Sequence, residues 1–269
     1  MLLNGQPATA ISLQDRGLAY GDGLFETILV RDSKPLLLDA HLARLQRGCT
    51  VLGLECDMTA LQRELATVLA DTASSNCVLK IMLTRAAGGR GYRPAGNACN
   101  RIVTRHPAPG YLPHQPQLGV AMFVCEQRLA RQRVLAGLKH LNRLEQVLAS
   151  REWPDDSVLE GLMLDTEDFV VEGTRSNVFA VIDGRLQTPM LDQCGVAGVM
   201  RDWLLQRFGN AATTSRFTLA HLQRASEIFL CSSVIGVWPV TMLRSSDDSW
   251  SYPVGPATLQ AQAWMRELP

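Results

Sequence analysis

The sequence predicts an α/β (α+β) protein of two α/β domains joined by a proline-rich linker. Three observations carry that expectation. Short runs of β-branched and aromatic residues alternate with segments whose apolar residues recur three and four apart. The chain has 269 residues, enough for two ordinary domains with a core in each. The stretch His106-Pro-Ala-Pro-Gly-Tyr-Leu-Pro-His-Gln-Pro116 holds four prolines, which do not fit together in one regular element. The expected division is a smaller N-terminal domain over 1–106, a linker over 107–117 and a larger C-terminal domain over 118–269.

The elements follow in order. A glycine-bearing segment over 11–23 leads into a strand at Leu24–Val30, rich in β-branched and aromatic residues. A turn at Lys34-Pro35 precedes a short strand at 36–38, and Asp39 is the expected N-cap of a helix carrying His41, Leu42, Arg44, Leu45 and Arg47. A second helix is expected over Thr59–Leu69, then a strand over Val78–Thr84. The loop Arg85-Ala-Ala-Gly-Gly-Arg-Gly-Tyr-Arg-Pro94 follows; it fits an anion- or aromatic-binding loop and a basic solvent loop equally, and it lacks the Gly-Lys-Ser/Thr ending of a P-loop. A strand returns at Arg101–Thr104.

Beyond the linker a strand is expected at Leu118–Cys125, and then a helix that bears Lys139 and runs to about Glu152. Strands at Leu159–Leu164 and Phe169–Val171 join through the polar turn Asp165–Asp168. Val178–Ile182 and Arg185–Thr188 form a hairpin about Asp183-Gly184. A helix starts at Gly198 and stops at Gly209. Late strands at Glu227–Cys231 and Val237–Leu243 and a terminal helix at Ala257–Leu268 complete the expected set.

Composition narrows the function. The formal net charge is zero, which argues against nucleic acid or an anionic membrane as the main partner. Seven scattered cysteines without a Cys-x-x-Cys pair read as reduced thiols, with no zinc or other metal site expected. Met1-Leu-Leu-Asn-Gly-Gln lacks the basic and apolar regions of a signal peptide, and no apolar run approaches membrane-spanning length. A soluble, cytoplasmic protein is the expectation.

Lysine is scarce: only Lys34, Lys80 and Lys139 occur. Lys34 sits in a turn, and Lys80 in a strand-like run where it can point outward by the period-two rule. Lys139 lies among Leu135, Leu138 and Leu141. Burial disfavours the charged amine, which makes such a lysine a candidate nucleophile. Taken alone, the stretch fits a solvated lysine at a helix mouth as well.

A longer pattern tips the balance. Glu172-Gly-Thr-Arg-Ser-Asn-Val-Phe179, then Leu186-Gln-Thr188, then Val196-Ala-Gly-Val-Met-Arg201 resemble the signature of the class IV aminotransferases, the fold-type IV pyridoxal-phosphate enzymes. Glu172, Asn177, Phe179, Thr188, Gly198 and Arg201 match at once. The resemblance implies pyridoxal 5′-phosphate as cofactor, with the Schiff-base lysine, Lys139, in the C-terminal domain. It also implies Glu172 against the pyridine nitrogen, Asn177 among the cofactor residues, and Arg44 and Ser233 at the phosphate. Free N–H groups at Val199 and Met200, at a helix start, would favour the same anion.

Three stretches, Tyr20-Gly-Asp-Gly-Leu-Phe-Glu-Thr27, Gly88-Gly-Arg-Gly-Tyr92 and Gly137-Leu-Lys-His-Leu-Asn-Arg-Leu-Glu-Gln146, resemble the lyases of this family. Glu26 departs from them, since some carry threonine there, and so does the pair Arg175-Ser176. The resemblance implies 4-amino-4-deoxychorismate as the small-molecule substrate. Pyruvate and 4-aminobenzoate, a folate precursor, would be the products. It implies Thr27 as a proton-transfer residue beside Lys139, Arg90 and Arg143 as cations for the substrate carboxylates, and Tyr92 against the ring. A homodimer is implied as well. The main alternative is a D-amino-acid or branched-chain aminotransferase of the same fold, which would use the same Lys139 and Glu172. A non-catalytic carrier of the cofactor is disfavoured by the joint presence of Lys139, Glu172 and Thr27.

Overall fold

The computed structural model describes residues 1–70, 76–88, 90–111 and 115–268. The chain forms two compact units. The first holds Met1–Pro109 together with Leu138–Asn142, and the second holds Gly110–Gly137 and Arg143–Leu268. The five residues 138–142, expected in the C-terminal domain, therefore pack with the first unit. The expected linker is not a bare connection either: Pro107 ends a strand, and Gln115–Leu118 is a short helix.

In the first unit the order is β1 (Leu2–Leu3), β2 (Gln6–Pro7), α1 (Arg16–Tyr20), β3 (Gly23–Arg31), β4 (Lys34–Pro35), α2 (Leu38–Leu52), α3 (Met58–Ala70), β5 (Cys77–Arg85) and β6 (Cys99–Pro107). Six strands form one sheet in the order β2-β1-β6-β5-β3-β4. Strand alternation divides β3: Leu24, Ile28 and Val30 are buried with Leu42, Leu45 and Cys49 of α2, while Phe25, Thr27 and Leu29 share the other, half-buried face. The apolar positions of α2 fall three and four apart, which is why that stripe reaches the sheet. No strand forms at 36–38, because Leu37 turns into the left-handed region at φ 53°. Leu37 is accordingly the N-cap, and Asp39 lies in the first turn.

The second unit runs α4 (Gln115–Leu118), β7 (Val120–Leu129), α5 (Leu144–Ser150), β8 (Val158–Asp165), β9 (Val170–Gly173), β10 (Asn177–Ile182), β11 (Arg185–Pro189), α6 (Val199–Phe208), β12 (Ala212–Ser215), α7 (Leu219–Gln223), β13 (Glu227–Ser232), β14 (Gly236–Arg244), β15 (Ser249–Ser251) and α8 (Pro256–Glu267). Its nine-stranded sheet is ordered β12-β11-β10-β13-β14-β7-β8-β9, with β15 on β14. The β10–β11 hairpin turns at Asp183 and Gly184, both at positive φ, as its Asp-Gly sequence predicts. Phe179 stacks on Phe229 across β10 and β13 at 4.9 Å and 5°, in a fully buried layer.

The expected helix around Lys139 does not form. Only Leu144–Ser150 is helical; Gly137 sits at φ 79°, and the chain beyond it is extended. The Lys139 carbonyl accepts a hydrogen bond from Phe25 N at 2.9 Å, Leu141 N donates to Gly23 O at 3.0 Å, and His140 bridges Leu24. The segment lies beside β3 through an isolated antiparallel bridge. Its backbone groups are satisfied there instead of by a helix turn.

Candidate active site

In the first unit β3 presents the site residues on its half-buried face. The Lys139 ammonium lies 4.5 Å from the Phe25 ring centroid, a cation–π distance. Thr27 stands two residues along on the same face, half-buried. Directly across the ladder from Thr27 is Lys80, whose ammonium lies 5.7 Å from the same ring. Sequence reasoning left Lys80 as an outward strand lysine. The period-two rule did place it away from the core, but that face is the one Thr27 occupies.

Behind this face, on the buried side of β3, Glu26 gathers two bases. Its Oε2 meets His41 Nδ1 at 2.6 Å and Arg44 NH2 at 2.5 Å, and its Oε1 accepts from Arg44 Nε at 2.8 Å. All three are nearly inaccessible. Burial pushes the Glu26 carboxyl pKa up, but the Arg44 guanidinium and the His41 hydrogen bond outweigh it and bring the pKa down to about 2. His41 is pushed below its ordinary value by burial, with Glu26 opposing and the charges of Arg44 and Lys139 adding to the fall. Arg44, matched in sequence to a phosphate arginine, is thus a fork clamped on a carboxylate. The departure Glu26 supplies that carboxylate.

Arg90 and Tyr92 occupy the glycine-rich loop and are both exposed, Tyr92 at 88%. The loop is anchored from below: Arg16 donates to Gly91 O and Tyr92 O at 2.8 Å each, and the Tyr92 ring meets the Tyr20 ring edge-on at 5.7 Å.

In the second unit the signature residues converge on one turn. Glu172 is buried at the end of β9, and its Oε2 accepts from Val196 N at 2.8 Å. Asn177 donates to Val196 O at 3.0 Å, and its Oδ1 stands 2.0 Å from where a Cβ on Gly198 would be. Any side chain at 198 would displace Asn177, so the signature glycine follows from a close approach. Thr188 donates to Val178 O at 2.7 Å and accepts from Arg201 Nε at 3.3 Å, while Arg201 also donates to Pro189 O at 2.9 Å. Phe179, Thr188 and Arg201 therefore build the framework. Glu172, Asn177 and the start of α6 face the turn.

Gly198 caps α6 with extended backbone and no capping side chain, and the following Val199 and Met200 are buried. First-turn N–H groups have no partner within a helix. A buried, uncapped start of this kind suits a phosphate. Ser233 is half-buried in the turn after β13, where the preceding Ser232 hydroxyl accepts from Val234 N and Ile235 N at 3.4 and 3.3 Å. Arg143 precedes α5. Burial pushes its pKa down, and Glu172 first, then Glu145, pulls it back. It therefore lies in the field of the carboxylate matched to the pyridine nitrogen.

The first unit offers an amine against an aromatic face, and the second a buried carboxylate held by a backbone N–H and an uncapped helix start; each is a donor type that pyridoxal phosphate takes. Among the described residues no group of His, Cys, Asp and Glu is arranged to hold a metal, and no helix is long and apolar enough to cross a membrane.

Comparison with known proteins agrees. The model of the family described as amino-transferase class IV matches residues 23–243. An aminodeoxychorismate lyase of Vibrio harveyi is 35% identical over 97% of this chain and 97% of its own length. The crystal structure of 4-amino-4-deoxychorismate lyase from Pseudomonas aeruginosa superposes with a TM-score of 0.92 at 47% identity, covering 99% of this chain and 98% of that one. A hypothetical aminotransferase from Mycobacterium tuberculosis, in a PLP-bound form, gives a TM-score of 0.78 at 25% identity over 96% and 94%.

Proposed function

The chain belongs to the amino-transferase class IV family, and from that premise we propose that it is a pyridoxal-phosphate-dependent lyase. It converts 4-amino-4-deoxychorismate to 4-aminobenzoate and pyruvate. The observation that carries this reading is the near full-length similarity to two lyases, 35% and 47% identical, combined with the Lys139 ammonium at the Phe25 ring and Thr27 on the same strand face as Phe25.

When bound, the cofactor supplies an electron sink for the carbon that carries the substrate nitrogen. Lys139 would tether it and supply the amine that takes the proton from that carbon. Glu172, held by Val196 N–H, would keep the pyridine nitrogen protonated through a charge-assisted hydrogen bond. Val199, Met200 and Ser233 would receive the phosphate, to which the family resemblance also assigns Arg44, and Asn177 braces the turn that presents the first two. Thr27 moves a proton toward the departing enolpyruvyl oxygen or orients Lys139 and a water for it. Arg90 and Arg143 meet the two substrate carboxylates, and Tyr92 faces the ring. Loss of the enolpyruvyl group leaves an aromatic ring, which drives the reaction forward. A homodimer acting in the cytoplasm completes the reading.

The test is an assay of purified protein with 4-amino-4-deoxychorismate and no added keto acid. Many turnovers are expected, with equal yields of pyruvate and 4-aminobenzoate. A halt after one turnover, relieved by a keto acid, would replace the lyase by the aminotransferase.

A further inference from the structure

Three of the seven cysteines meet away from the site just described, where the loop after α2 reaches the start of β6. Glu55 bridges Ala98 in parallel, with Glu55 N donating to Asn97 O at 2.9 Å. Cys56 and Cys99 each follow those paired residues by one position. Parallel neighbours lie about 4.8 Å apart, inside the roughly 4.4–6.8 Å Cα separation that a disulfide takes. Leu54 N donates to Cys49 O at 2.9 Å, which folds the end of α2 back beneath them.

Cys49 belongs to the first unit's apolar core, and Cys56 and Cys99 both pack against that same cluster. Cys49 is buried, whereas Cys56 and Cys99 are half-buried and open to a small oxidant. The neighbouring Cys49 and Cys99 thiols pull the Cys56 pKa down, and the positive field of Arg101 adds to them against burial and Asp57. The Cys56 thiol in turn pushes Cys49 and Cys99 up. Burial pushes Cys125, Cys194 and Cys231 up to about 12. With no metal-holding group among the described residues, the chemistry of the trio is that of thiols with one another.

We propose that Cys56 and Cys99 form a peroxide-sensitive thiol pair, backed by the buried Cys49, that closes reversibly to a disulfide. The Cys56 thiolate attacks one oxygen of hydrogen peroxide. The O–O bond breaks, hydroxide leaves and is protonated to water, and the sulfur is oxidised to a sulfenic acid. The Cys99 thiol then attacks that sulfur, the S–S bond forms, and the hydroxyl departs with the thiol proton as a second water. One peroxide is reduced and two thiols are oxidised. The bond staples the 53–56 turn to β6. That turn is already tied to β5, because Arg85 donates to Leu52 O, Gly53 O and Asn97 Oδ1.

The test treats the cofactor-loaded enzyme with a graded excess of hydrogen peroxide, blocks the remaining thiols and maps peptides without reduction. Two of the seven thiols should disappear first, in one Cys56–Cys99 linked peptide that dithiothreitol reopens. Cys56 should react at least about tenfold faster than Cys125, since thiolate character sets the rate. In Cys99→Ser a dimedone-reactive sulfenic acid should persist on Cys56, and Cys56→Ser should form no linked peptide. First loss at any other cysteine, a Cys49–Cys56 bond, or Cys56 oxidised no faster than Cys125 would overturn the proposal. The wild-type map decides it even where a serine variant fails to fold.

Discussion

The two units prepare their functional groups in different ways. In the first, side chains do the work: β3 alternates Phe25 and Thr27 on one face with Glu26 on the other, and Glu26 gathers His41 and Arg44 into a buried cluster. In the second, backbone does it: Glu172 is fixed by Val196 N–H, Asn177 by Val196 O, and α6 offers uncapped N–H groups. A strand face can carry groups that move protons, because each side chain stands apart from the ladder. A rigid turn suits groups that only hold. The first unit should therefore govern turnover and the second cofactor electronics, and variants can separate them.

The largest effect on turnover is expected from the first unit. Thr27→Ala should lower kcat by about 10²- to 10⁴-fold, the range for losing a placed proton-transfer group, with cofactor absorbance unchanged. Stopped-flow rates alongside the visible spectrum check this. Loss of the spectrum together with the rate would make Thr27 a binding residue and erase the contrast. Glu172→Gln should retain cofactor and lose about 10- to 100-fold in turnover, as expected when a net 1.5–3 kcal/mol charged hydrogen bond is weakened. Normal turnover with weakened cofactor binding would reverse its assignment.

A separate effect, on stability and not on turnover, concerns acid stability and sharpens the role of the Glu26 cluster. Glu26 has a folded pKa of about 2 against an ordinary 4.5, so its contribution is full above 4.5 and is lost as pH falls toward 2. His41 is held below its ordinary 6.5, so its unfolded form takes up the proton first and stability declines as pH falls below 6.5. Glu26→Gln leaves the Arg44 charge buried without that carboxylate and should be destabilised at pH 7 by about 3–5 kcal/mol. The gap from wild type should narrow by pH 3 in urea titrations. A gap independent of pH would remove the ionic account.

The same contrast explains what was legible in sequence. The second unit's hairpin and α6 follow local rules, Asp183-Gly184 for the turn and Gly198 and Gly209 for the helix ends, and they stand where expected. The signature residues Glu172, Asn177 and Gly198 are readable because one short turn binds them together. Lys139 was misread as helical because its backbone partner, β3, lies more than a hundred residues earlier in the chain. Apolar periodicity cannot report a pairing at that separation. The partnership of Glu26 with His41 and Arg44 was hidden for a related reason: a carboxylate within an apolar strand declares its partners only once α2 is laid upon it. Lys80 obeys the alternation rule, but nothing local says that its face also holds Thr27 and the Phe25 ring.

Lys139, and not its neighbour on the strand face, should carry the cofactor. Both ammonium groups lie near the Phe25 ring, at 4.5 and 5.7 Å, so geometry alone keeps the question experimental. Borohydride reduction of the cofactor-loaded protein, followed by peptide mapping, answers it. The phosphopyridoxyl group should be found on Lys139 at one equivalent per chain, and Lys139→Ala should abolish both adduct and turnover. An adduct on Lys80, or on Lys34, would contradict the account.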